Sequence, residues 1–81
     1  MKATVLVRPK VGILDPQGEA VQASLRTLGF AVAAARVGRI VDLELEATDA
    51  LAARAEVERM CAELLANSLI ESVEIHIVEG E

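Results

Sequence analysis

Apolar and polar residues alternate from Ala3 to Arg8. Ala3, Val5 and Val7 fall on one face of a predicted strand, and Thr4, Leu6 and Arg8 on the other. The apolar Leu6 on the second face predicts a strand covered on both sides at its middle. Pro9 brings no N–H to a ladder, so pairing ends there or a sheet edge begins; Lys10 to Leu14, with Gly12, reads as a loop. Asp15-Pro16 then opens a helix. The carboxylate can accept from the free N–H groups of the first turn, and Pro at the first helical position loses no bond. Val21, Leu25 and Leu28 recur at helical spacing, with Gln17, Glu19, Gln22 and Arg26 on the wetter side, and Gly29 ends the helix in a left-handed slot. Gly18 in the first turn costs up to about 1 kcal/mol relative to Ala, which points to close approach of another backbone or a ligand.

Phe30 to Glu46 reads as extended throughout, with Val37-Gly38-Arg39 at its middle and no hairpin turn. Phe30, Val32 and Ala34 are the apolar positions before Gly38. After it they are Val41, Leu43 and Leu45, with Asp42, Glu44 and Glu46 opposite. The switch of parity predicts a bulge or sharp bend at the glycine. Seventeen residues at ~3.3 Å each reach about 55 Å, wider than a small domain, so part of this strand is expected to pair outside its own subunit. Thr48 or Asp49 caps a second helix running to Ala66. Its apolar stripe is Ala53, Val57, Met60, Cys61, Leu64 and Leu65, with Arg54/Glu58 and Arg59/Glu63 as i,i+4 pairs and Asn67 as a left-handed terminus. A last strand, Ser72 to Glu79, buries Val73, Ile75 and Ile77, and Gly80-Glu81 is a frayed tail. The expected fold is α+β, a two-layer sandwich of order β-α-β-α-β with a long bent central strand. It amounts to two βαβ units in one domain, residues 1–81, with sheets completed by oligomerisation. Ferredoxin-like domains share the order but need a tight central hairpin that is missing here.

Composition narrows the partners. Eight Lys+Arg against thirteen Asp+Glu give a net charge of −5 and a pI near 4.8, which argues against nucleic acid or an anionic membrane. Hydrophobic residues make up 53%, too many for a disordered chain. No apolar run approaches a membrane span, and no signal peptide is expected. A lone cysteine fits a reducing cytoplasm. With one aromatic residue, Phe30, the core must be Val, Leu, Ile and Ala, and a mean hydropathy of +0.41 on so small a body leaves apolar surface for partners. Charge is uneven as well. Six basic and two acidic residues lie up to Val41, but two basic and eleven acidic ones lie beyond it.

No catalytic constellation emerges. His76 falls on an outward strand position without a Ser or Cys partner at a suggestive spacing, and Cys61 falls within the helical stripe as a small core residue. Asp42, Glu44 and Glu46 alternate as any solvated strand face does. One Cys and one His do not make a zinc site. Arg8 to Gly12 before a helix start has the ingredients of an anion site, but no Walker-type pattern is present and Asp15 would repel the anion. A loop that docks on a partner fits better.

The segment Arg8-Pro9-Lys10-Val11-Gly12-Ile13-Leu14-Asp15-Pro16-Gln17-Gly18 resembles the PK-x-G-(V/I)-L-D-P-Q-G signature of the PurS family, the small subunits of phosphoribosylformylglycinamidine synthase. Leu28-Gly29, Arg36-Val37-Gly38-Arg39 (the family's R-x-G-K) and Met60 to Asn67 (its M-C-x-x-L-L-A-N) follow in the same order, so the resemblance spans essentially the whole chain. Arg39 stands for the usual Lys, Ser68 for the usual Pro, and Val73 for a frequent aromatic. The resemblance implies a non-catalytic, homodimeric or tetrameric subunit. It would join a large ATP-dependent synthetase subunit (PurL type) and a glutaminase subunit (PurQ type) and support ammonia transfer, with glutamine as the amide donor. ATP and Mg belong to the large subunit, and no cofactor or metal is expected on this chain. Lys10, Gly12, Asp15, Gln17, Gly18, Arg36 and Arg39 are the candidate partner-interface residues. Two rival classes are an ACT-like module binding a small effector at a dimer interface and a small homo-oligomeric enzyme using His76 or Cys61.

Overall fold

A computed structural model of the chain describes residues 1–78. Glu79, the expected last residue of the final strand, and the Gly80-Glu81 tail lie outside the described residues. Strand β1 (Lys2–Pro9) is central and pairs antiparallel with β2 (Arg39–Glu44) on one side and β3 (Glu71–Val78) on the other. Val5 lies opposite both Val41 and Ile75, so the apolar positions of all three strands share one face. Pro9 ends β1 opposite Glu71, as a residue without a donor should.

Helix α2 (Ala50–Met60) covers that face. Its cap is Asp49, whose carboxylate accepts from the Ala52 N–H at 3.0 Å. Val57 and Cys61 cluster with Ala3, Val5 and Val7, and with Ala53 these are the six buried apolar residues among those described. The helix continues into a π-helical turn, Cys61–Leu65, closed by the Ala66 N–H donating to the Cys61 carbonyl. Ala53, Val57, Cys61 and Leu65 follow at intervals of four, wider than the 3.6 of an α-helix, and the slacker winding keeps Leu65 on the core. Leu64, expected in the stripe, is 84% exposed. Asn67 is not left-handed either; among the described residues no non-glycine residue has positive φ. Its side-chain oxygen accepts from the Leu69 N–H in an Asx-type turn instead. Arg59 and Glu63 pair as expected, whereas Arg54 donates to the Ile75 carbonyl on edge strand β3 rather than to Glu58.

Helix α1 (Pro16–Thr27) stands apart from this sandwich, and Gly18 is its one buried residue. It ends in a Schellman arrangement: the Gly29 N–H donates to the Arg26 carbonyl, the Phe30 N–H to the Leu25 carbonyl, and Gly29 has φ +100°. The predicted long strand pairs within the chain only from Arg39 to Glu44. Residues 30–38 carry no ladder; they run back along α1 and are held by its side chains. The Arg26 guanidinium donates to the Val32 carbonyl at 2.7 Å and the Gln22 amide to the Ala33 carbonyl at 3.1 Å. Residues 15–37 therefore form an arm. The radius of gyration is 15.9 Å, against about 12 Å for a compact chain of this length. The exposed area of 5836 Å² exceeds the roughly 4,700 Å² typical of a monomer of this mass. The open sheet face leaves Leu6 half-buried and Ile40 65% exposed, so the cover expected over Leu6 is not supplied by this chain.

Candidate subunit-interaction site

The arm joins the sheet through two chain crossings, one just before Asp15 and one just after Val37, and two of the candidate residues, Asp15 and Gly18, meet there. Asp15 caps α1: its Oδ1 accepts from the Gly18 N–H at 3.1 Å, while Oδ2 accepts from the Val37 N–H at 2.9 Å across the neck. These two backbone donors hold the Asp15 carboxyl below its usual range, with a smaller contribution from the Arg36 charge. Gly18 meets the backbone approach its position predicted. A Cβ there would lie 2.5 Å from the Ala35 carbonyl oxygen. At Gly38 a Cβ would fall 2.2 Å from the Val7 carbonyl oxygen, so the glycine at the bend is needed for the chain to re-enter the sheet. Because Asp15 already takes the Gly18 N–H, the anion-loop reading loses a first-turn donor.

The other candidates separate. Gly12 turns the loop with φ +87°, and the Lys10 N–H donates to the Ile70 carbonyl at 2.9 Å, so the loop packs beside the start of β3. Its side chains face outward: Val11 is 90% and Leu14 76% exposed. Gln17 lines a shallow depression with Ile13, Leu14 and Ile70. Arg36 is exposed beside Leu6 and Ile40 and makes no hydrogen bond or ion pair among the described residues. Arg39 is engaged internally. Its guanidinium forms a fork with Glu71 at 2.8 and 3.3 Å and also donates to the Leu65 carbonyl, tying β2 to the end of the π turn and to β3. That fork, with the Asn67 N–H, lowers the Glu71 pKa.

Sequence reasoning missed Gln22 and Arg26 as holders of residues 30–38; their place on the polar face of α1 gave the only hint. Cys61 is buried, and desolvation followed by the nearby Glu58 charge pushes its thiol pKa up, which suits packing rather than attack. His76 sits exposed on β3 and pairs with Glu74. Among the described residues no cluster of three or more His, Cys, Asp or Glu could hold a metal ion, and no helix is long and apolar enough to cross a membrane.

A six-residue buried core, a projecting arm and a surplus of exposed apolar surface define a small α+β subunit shaped to associate. The model of the family described as PurS: Phosphoribosylformylglycinamidine (FGAM) synthase matches residues 2–79, and this chain belongs to that family. The phosphoribosylformylglycinamidine synthase subunit PurS of Synechocystis sp. is 44% identical over 79 residues, 94% of this chain and 77% of that one. The Methanocaldococcus jannaschii subunit is 38% identical over 81 residues, 99% of this chain and 98% of its own length. The crystal structure of M. jannaschii PurS, one of the subunits of formylglycinamide ribonucleotide amidotransferase in the purine biosynthetic pathway, matches with a TM-score of 0.86 at 37% identity, covering 99% of this chain and 98% of that one. A chain in the structure of PurLQS from Thermotoga maritima matches with a TM-score of 0.85 at 32% identity over 95% of both.

Proposed function

We infer that this chain is the PurS subunit of phosphoribosylformylglycinamidine synthase, the glutamine-dependent ligase of purine biosynthesis, working with PurL-type and PurQ-type subunits. The observation that carries this is the full-length likeness to PurS chains, one of them from a PurLQS structure. In finer detail, the chain bridges the ATP-dependent synthetase and the glutaminase and supports the passage of ammonia between them. It does so without catalytic residues, metal or cofactor of its own; ATP and Mg²⁺ belong on the large subunit, and the complex works in the cytoplasm. The loop before α1 and Arg36 form the partner surface. In support, Val11 and Leu14 are exposed there, and Arg36 is an exposed cation that makes no hydrogen bond or ion pair among the described residues.

The test compares glutamine-dependent and ammonia-dependent amidine formation by the synthetase and glutaminase subunits, with and without this chain. A requirement for the chain in the glutamine-dependent reaction alone is the expected result. Equal rates with and without it, and no complex, would refute the reading.

A further inference from the structure

We propose that Asp15 is the positioning residue of this subunit: by bridging the Gly18 and Val37 amides it ties the start of α1 to the residue next to Gly38, whose backbone lies against Val7 of β1, and so sets the direction in which α1 leaves the sheet. Hydrophobic packing does not supply that direction, because α1 buries only Gly18. Along the arm, the returning segment is held to α1 by the exposed polar contacts of Gln22 and Arg26 with the Ala33 and Val32 carbonyls, several residues before the chain re-enters the sheet. What remains is the neck.

There one carboxylate holds both crossings. A helix cap needs a single acceptor, and Asp15 Oδ1 supplies it; Oδ2 reaches the Val37 N–H, 22 positions along the chain. On either side of this bridge the backbone is in direct contact, Gly18 against the Ala35 carbonyl and Gly38 against the Val7 carbonyl. With no Cβ between them, the walls of the neck come into direct backbone contact. The arm carries Val21, Leu28 and Phe30, 42%, 72% and 58% exposed. A closed neck presents these side chains in one direction, which lowers the ordering cost of association. The effect on the synthase complex rests on the assembly reading above, whereas closure of the neck does not.

Asp15→Ser separates the two roles. Serine caps a helix about as well as aspartate, but its single oxygen cannot bridge the neck. In the full-length chain, circular dichroism should show unchanged helix content. Exchange of the Val37 amide should quicken about tenfold, the order expected for one lost hydrogen bond. Residual dipolar couplings of α1 and of the sheet, which should fit one alignment tensor in the parent protein, should need two in the variant. Affinity for the synthetase and glutaminase subunits should fall about tenfold, as a loss of preorganisation predicts. Unchanged Val37 exchange or a single tensor in the variant would overturn the closure. An opened neck with undiminished affinity would overturn the positioning role. If the parent chain itself binds neither subunit, the assembly reading fails and the positioning role with it, and Val37 exchange still decides whether Asp15 closes the neck.

Discussion

Replacing Gly18 by Ala sets two effects against each other. Helix propensity alone favours Ala by about 1 kcal/mol, but the new Cβ would stand 2.5 Å from the Ala35 carbonyl oxygen, and overpacking of this kind costs roughly 1–3 kcal/mol. A lowered denaturation midpoint for Gly18→Ala is expected, and a raised one would show that the neck gives way easily. The two arginines near the bend should also behave differently. Arg36→Ala should weaken assembly with the partner subunits and leave the unfolding midpoint unchanged, because Arg36 makes no bond within the described chain. Arg39→Ala should destabilise the fold and let Glu71 titrate nearer its ordinary value, readable by NMR of the carboxyl carbons. Asp15, Glu71 and Glu74 all have lowered pKa values, from the Val37 amide, the Arg39 fork and His76 respectively. Each binds its proton more weakly folded than unfolded. Its contribution to stability is therefore complete above the ordinary carboxylate range and is lost as pH falls through the folded values. Acid denaturation curves should show stability declining below about pH 4.

Elements whose signals are local were legible in the sequence. Asp15-Pro16 and Leu28-Gly29 bracket α1, Asp49 caps α2, and alternation marks β1, the second half of the long segment, and β3. Residues 30–38 were not. Phe30, Val32 and Ala34 alternate as a strand would, but periodicity reports which way side chains point and cannot say whether a ladder partner exists. Here the holders are Gln22 and Arg26 on α1, whose polar positions looked like plain solvent contacts. The neck was half legible: Gly18 announced a close approach, whereas nothing local linked Asp15 to Val37. Similarly, helical spacing placed Leu64 and Leu65 in one stripe, and the π turn separates them. Leu65→Ala should therefore cost about 2 kcal/mol and Leu64→Ala under about 0.5 kcal/mol, both by denaturant unfolding; equal costs would mean the helix continues as α.

At the scale of the molecule, the exposed area stands about 1,100 Å² above the monomer expectation, more than one side of a standard protein interface. Stability coupled to association depends on concentration, so the thermal midpoint should rise with protein concentration across a dilution series; a constant midpoint would show that one chain suffices. The strand order has a kinetic side as well. The arm closes on neighbours no further apart in sequence than Asp15 and Val37, whereas the central strand needs β3, with Lys2 opposite Val78. Contacts between distant segments form slowly because the intervening chain must first be closed into a loop. During synthesis the arm can therefore settle while Ala3, Val5 and Val7 still wait for the helix that will bury them. For that interval the nascent chain exposes an apolar strand with an open face and an open edge, the segment a chaperone would be expected to hold until α2 and β3 emerge from the ribosome.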